Sequence, residues 1–446
     1  MVGRKAGVLG SAAMRARTIV FVTSVLVSAC GFPDPSSTPP TAPVDNDPAY
    51  TIIGAQPWWI VANAATPVTD DLMTVIVDPP DGTDFIDLWV GDLPVVRLED
   101  VGDGKLGTQI TVTDLPLGDH DILLAANGKT TAFAKLPLHR SAPYYVLVTT
   151  DWDFSDPGDK VNTYQDAMHM THPELRITHF VGPYTFTDPV VTPARQQQLA
   201  TWLLDNRDTF HDEIGLHIHP YCNFVTSAGL TCITDQSTTK PAGDDTGYTV
   251  KLGAYGRANM GILLDHASAL FEQHGLGRPK TFRAGGWTAT LETVQALADK
   301  GFTADTSALN WARIEEWSGY ELYRWNMENW APINDTSQPY YPSSTNVLSA
   351  TAPTMPILEV PDNGVMIDYV MLPEMNGIFD SNWNGQTLMA PKTLMMGFHP
   401  SVQFPESFYR RVDGFLKYAD QRLASSHQGP VVYITLADVV AAYAGQ

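Results

Sequence analysis

The chain has 446 residues, 44% of them hydrophobic, with 49 acidic against 27 basic side chains and a formal net charge of −22 at pH 7. That length exceeds one ordinary core and predicts two or more domains. The negative balance argues against nucleic acid and other polyanions as partners and suits an extracytoplasmic enzyme.

The first element is a processing signal. Arg4, Lys5, Arg15 and Arg17 form a basic stretch, and the apolar run from Thr18 to Val27 is too short to span a bilayer. Val27-Ser-Ala-Cys30 resembles the lipobox of bacterial lipoproteins. The resemblance implies removal of residues 1–29, acylation of Cys30 and a lipid anchor in a bacterial membrane, which puts the protein in the cell envelope. An ordinary signal peptide with an incidental cysteine is the alternative. Residues 30–49 are rich in Pro, Ser, Thr and Asp and read as a flexible tether.

Residues 50–141 read as all-β. Leu72–Val77, Phe85–Val90, Gln109–Thr113 and Asp121–Ala126 alternate or run apolar over strand lengths. Asp103-Gly104 and Asn127-Gly128 punctuate them with turn chemistry. Short strands at this spacing predict a small immunoglobulin-like β-sandwich. Trp58, Trp59 and Trp89 are available to stack on sugar, although core or interface packing is the favoured reading.

From residue 142 to 446 strand and helix patterns alternate. Tyr145–Thr150, Arg176–Val181 and Glu213–His217 read as strands. Thr192–Asp208, Arg257–Gln273, Leu291–Lys300 and Glu406–Ala424 read as helices. The alternation predicts an α/β fold with a parallel sheet, whose sites form at the carboxyl ends of the strands. The stretch 310–356 reads as an irregular, aromatic-rich loop that shapes a cleft. Cys222 and Cys232, an even pair in an exported chain, read as a disulfide just after the histidine pair.

Asp151 and Asp153 end one apolar run, and His217 and His219 end another. Alternate strand residues share a face, so two carboxylates and two imidazoles project into one site, the parts of a hydrolytic Zn²⁺ centre. At this point the ordered motifs resemble the NodB-type polysaccharide deacetylases. Thr149-Thr-Asp-Trp-Asp153 stands where that family has Thr-Phe-Asp-Asp, and Glu213-Ile-Gly-Leu-His-Ile-His219 matches its Glu-Ile-Gly-x-His. Thr281-Phe-Arg-Ala-Gly-Gly-Trp287 matches Phe-Arg-x-Pro-x-Gly. Gly301–Ser307, Met396-Gly-Phe-His-Pro400 and Val431–Ala437 follow in order. Two departures stand out: His-x-His replaces the family's His-x-x-x-His, with Tyr221 at the fourth position, and Asp-x-Asp replaces adjacent aspartates.

The resemblance implies a deformed (β/α) barrel and hydrolysis of an acetylated glycan by metal-activated water. It implies Asp153, His217 and His219 as ligands of Zn²⁺ or another divalent transition metal. Asp151 becomes general base, Arg283 its partner and His399 general acid. Tyr221, whose neighbouring backbone N–H would face an oxyanion, Trp287 and Asp305 become substrate contacts. The roles of Asp151 and Asp153 are open to exchange. His169, His172 and His179 read as packing or surface residues. A monomer is expected. The alternative function is a non-catalytic glycan-binding or envelope-assembly lipoprotein on the same scaffold.

Overall fold

The computed structural model describes residues 42–44, 51–63, 65–66, 71–401 and 403–444. The expected signal segment, Cys30 and all of the tether except residues 42–44 lie outside the described residues. Pro43 onward forms one compact unit.

The strands before residue 142 are β1 (Trp58–Ile60), β2 (Leu72–Val77), β3 (Ile86–Val90), β4 (Val96–Arg97), β5 (Glu99–Gly102), β6 (Lys105–Thr111), β7 (Gly118–Ala126) and β8 (Ala134–Ser141). They form two sheets, β1-β8-β7-β3-β4 and β2-β6-β5. All pairs are antiparallel except β1 with β8. Met73, Val75 and Val77 from one sheet meet Ile86, Leu88, Ile122 and Leu124 from the other in a core of their own. That face-to-face burial follows from the period-two pattern of each strand. Trp58 stacks on His139 at 4.1 Å and meets the edge of Trp383 at 5.5 Å, so it fills a seam with the rest of the unit.

The remaining strands are β9 (Tyr144–Asp151), β10 (Ile177–Val181), β11 (Glu213–Ile218), β12 (Thr281–Ala284), β13 (Ala304–Asp305), β14 (Leu358–Glu359), β15 (Lys392–Phe398) and β16 (Val431–Tyr433). Every pair among them is parallel, in the order β14-β13-β12-β11-β10-β9-β15, with β16 also on β9. The helices are α1 (Asp159–Thr171), α2 (Pro193–Phe210), α3 (Cys222–Ser227), α4 (Gly256–Gln273), α5 (Leu291–Asp299), α6 (Glu321–Trp330), α7 (Leu372–Asn382), α8 (Glu406–Asp420) and α9 (Leu436–Tyr443). Along β9, Tyr145 and Leu147 join one apolar cluster while Tyr144, Val146 and Val148 join another. The strand is therefore buried on both faces, as a parallel strand under helices must be.

The sheet curls into a deformed barrel, and an irregular stretch joins its two ends. The Val360 and Asp362 N–H groups donate to the Asp305 and Ala308 carbonyls at 2.8 and 2.9 Å; those of Gly364 and Ile367 donate to the Met395 and Gly397 carbonyls, both at 2.8 Å. Residues 360–367 thus leave the β13 side and pair with β15. Because the strands are parallel, the ends of β9, β11, β12 and β15 share one rim.

One expectation is corrected. The stretch 310–356 is not wholly irregular: it holds a 3₁₀ segment, Trp311–Trp317, and α6. Trp311 and Trp330 point into the core, at 2% and 0% exposure, because the helical turns give them an inner face.

Candidate metal centre

Parallel register decides which side chains meet. His217 stands opposite Arg283 between β11 and β12, and alternation along β11 sends His219 to the same face as His217. A Cβ on residue 285 would lie 2.6 Å from the His219 ring, so glycine is required beside it.

Asp153 follows β9. Its Oδ1 lies 3.1 Å from His217 Nε2 and 3.2 Å from His219 Nε2. The other ring nitrogens are committed: His217 Nδ1 is 3.0 Å from the Arg283 carbonyl, and His219 Nδ1 is 2.8 Å from the Tyr248 carbonyl. A carbonyl oxygen only accepts, so each Nδ1 carries a hydrogen and donates it. That leaves Nε2 of each ring turned toward Asp153, a ligand lone pair wherever it carries no proton. Three acceptors converge within 4.8 Å of one another, the one such group among the described residues. Buried acceptors that face each other require a proton or a cation between them. Two imidazole nitrogens and one carboxylate oxygen suit a divalent transition metal and leave coordination positions open.

The Asp153 carboxylate is held from behind. Tyr248 donates its hydroxyl to Oδ2 at 2.6 Å, and the Tyr221 hydroxyl donates to the Asp153 carbonyl at 3.1 Å. Without a metal, protons on the imidazoles fill the place between these groups: burial alone would raise the Asp153 carboxyl, but the His219 and His399 charges and the hydrogen bonds from His217 and His219 outweigh it and hold the group well below its usual range.

Two dyads flank this trio. Arg283, fully buried, donates through Nη1 to Asp151 Oδ1 at 2.8 Å and to Thr149 Oγ1 at 2.9 Å. Its Nη2 lies 3.3 Å from Asp362 Oδ2, and Phe180 lies under the guanidinium at 4.7 Å. Burial pushes the Asp362 carboxyl up to about 6 against the pull of Arg283. On the other side, Asp368 Oδ2 accepts from His399 Nδ1 at 3.0 Å and from the His399 backbone N–H at 3.2 Å. His399 Nε2 lies 3.9 Å from Asp153 Oδ1. Burial disfavours the imidazolium, yet the Asp153 and Asp368 carboxylates outweigh it and push His399 up to about 10.

Asp151, Asp153, His217, His219, Trp287 and His399 all line a cavity of about 190 Å³, with Tyr248, Trp317 and Tyr369 among its other walls. Arg283 lies behind it, against Asp151. Two expected substrate contacts are placed differently. Tyr221 is not among the cavity walls: its hydroxyl donates to the Asp153 carbonyl, and its own backbone N–H donates to the His219 carbonyl at 2.8 Å. Asp305 is fully buried, takes a 2.7 Å hydrogen bond from Ser307 and does not line the cavity. Its neighbour Ala304 joins the inner apolar cluster, and Asp305 pairs in register with Phe282 rather than Arg283, so alternation turns its side chain to the face of the sheet away from the site. Cys222 and Cys232 are joined in a disulfide.

Tyr248, Asp362 and Asp368 were not flagged by the sequence, since each sits in irregular backbone with no periodic signal. His169 and His179 both lie 2.9 Å from Asp212 Oδ2, and His172 sits between Asp413 and Asp420. All three are buried packing residues away from the cavity.

No family model matches the chain, and no curated protein matches it. Solved structures give distant likenesses. A protein from Mycobacterium smegmatis described as a polysaccharide deacetylase is 12% identical, with 67% of this chain and 89% of that one covered and a TM-score of 0.39. A family 4 carbohydrate esterase from Streptomyces lividans is 12% identical, with 67% and 95% covered and a TM-score of 0.35. A CE4 family pseudoenzyme from Bacillus anthracis is 8% identical, with 72% and 84% covered and a TM-score of 0.33. At such values the chemistry of the site has to be drawn from its own side chains.

Proposed function

We propose that this chain is a metal-dependent hydrolase that removes acetyl groups from an envelope or extracellular carbohydrate. The observation that carries the reading is the convergence of two imidazole Nε2 atoms on Asp153 Oδ1, both Nδ1 atoms being tied to carbonyls. His217, His219 and Asp153 would hold Zn²⁺ or a similar ion, which when bound supplies a Lewis acid and brings the pKa of water toward ~7.

The protein's own groups supply the proton transfers. Asp151 takes a proton from the attacking water, and Arg283 holds its carboxylate in place. The water oxygen bonds to the acetyl carbon, the C–N or C–O bond breaks, and His399 gives its proton to the leaving amine or alkoxide. Asp368 fixes the His399 ring so that Nε2 faces the cavity. The products are acetate and the deacetylated sugar.

In this reading residues 142–446 are the catalytic domain and 50–141 an accessory immunoglobulin-like domain. The chain is a monomer held at a bacterial membrane by a lipid on Cys30. The Cys222–Cys232 disulfide supports an extracytoplasmic place. No helix among the described residues is long and apolar enough to cross a membrane.

The test is metal content and acetate release from protein lacking residues 1–30. About one metal ion per chain and chelator-sensitive acetate release are expected, both lost in His217→Ala. Full acetate release by His217→Ala overturns the mechanism. Glycan binding with no acetate release at all establishes the binding-protein alternative.

A further inference from the structure

The cavity at the metal centre is small. At about 190 Å³ it falls below the roughly 300–1,000 Å³ of pockets that enclose a whole ligand. It takes the acetylated end of a substrate, and the rest must lie outside. A second, polar groove of about 440 Å³ shares Thr238 and Thr239 with the cavity wall. Its other walls include Gln236, Lys240, Lys251, Tyr320, Glu321 and Arg324.

A row of aromatic rings runs from the cavity toward this groove. Tyr369 is 6.0 Å from the His399 ring, Trp317 is 5.2 Å from Tyr369, and Tyr320 is 5.6 Å from Trp317. Trp317 and Tyr369 line the cavity, whereas Tyr320 is 54% exposed in the groove. An exposed tyrosine ring backed by a second aromatic is a ready platform for the apolar face of a sugar.

The charged groups beside it are paired: Lys251 and Arg324 lie 3.3 and 3.1 Å from Glu321, and Lys240 lies 3.0 Å from Asp244. Paired charges present donors and acceptors side by side without a large net charge, which matches the alternating donor and acceptor character of neighbouring hydroxyls.

Behind the groove, the loop that carries Lys240 is tied down: Asp244 accepts from the Thr246 and Thr249 backbone N–H groups at 3.0 and 2.9 Å and from both of their hydroxyls at 2.7 Å.

We infer that this groove is a subsite for the sugar next to the acetylated one, with Tyr320 as the specificity-determining residue, so that the substrate is a neutral oligosaccharide extending from the cavity in one direction. The inference rests on the hydrolase reading above and deepens it. The experiment measures binding by calorimetry, and acetate release in parallel, for N-acetylchitotetraose and acetylated xylotetraose against their monomers. Wild type, Tyr320→Ala and Tyr320→Phe are compared. The tetramer-to-monomer affinity ratio is expected to fall about tenfold in Tyr320→Ala and to be kept in Tyr320→Phe. A ratio unchanged in Tyr320→Ala for both sugars, or no tetramer binding by wild type, overturns the subsite. A Tyr320-dependent ratio without acetate release keeps the subsite and overturns the hydrolase reading instead.

Discussion

Tyr248 touches two of the three converging groups at once: its hydroxyl donates to Asp153 Oδ2 at 2.6 Å, and its backbone carbonyl accepts from His219 Nδ1 at 2.8 Å. Burial, and then the Asp153 charge, hold the phenol well above its usual range, so it stays a donor at any working pH. Tyr248→Phe keeps the ring and the carbonyl and removes one hydrogen bond. Groups that orient metal ligands are worth about 10–100-fold in affinity, so Zn²⁺ binding should weaken by at least about tenfold. Competition with a chromophoric chelator measures it.

Asp151→Asn separates the base from the ligand. General-base catalysis contributes about 10²–10⁴-fold, so kcat should fall by that factor while metal content stays near one ion per chain. Metal loss in Asp151→Asn, with metal retained in Asp153→Asn, would show that the two aspartates exchange roles.

Gly285→Ala would place a methyl 2.6 Å from the His219 ring. The ring has to swing away from Asp153, and metal affinity should drop more than thermal stability. Metal titration beside a melting curve distinguishes this from general unfolding, in which the two would fall together.

Asp212 links stability to acid. Burial would raise its carboxyl, but hydrogen bonds from His169 and His179 prevail and hold it below its usual value. A carboxyl depressed in the folded state stabilises above its unfolded pKa of about 3.9, and that contribution fades as pH falls through the lower folded value. Urea unfolding between pH 6 and 3 should show stability dropping below about pH 4. Asp212→Ala should be less stable at neutral pH by about 3 kcal/mol and show a flatter acid limb.

Much of this was legible in the sequence because strands obey a simple rule. Alternation along β9 and β11 puts Asp151 and His217 on one face of the sheet, and Asp153 and His219 follow just past the strand ends. Asp305 obeys the same rule with the opposite result: Ala304 beside it faces the inner cluster, so Asp305 faces away from the site, and the phase of that two-residue strand is set only by its pairing with β12. Helix α1 carries no helical signal in the sequence because Asn162, Gln165 and His169 occupy its buried face, which breaks the apolar period. Tyr248 and Asp368 come from backbone whose path only tertiary contacts determine.

The irregular stretch from residue 360 to 367 joins the two ends of the curled sheet, and it brings Asp362 against Arg283 and, one step on, Asp368 against His399. A residue inserted or deleted just ahead of Asp362 would shift both carboxylates in one event. The base arm and the acid arm are therefore mechanically yoked, and a descendant that lost one through such a change would lose the other with it.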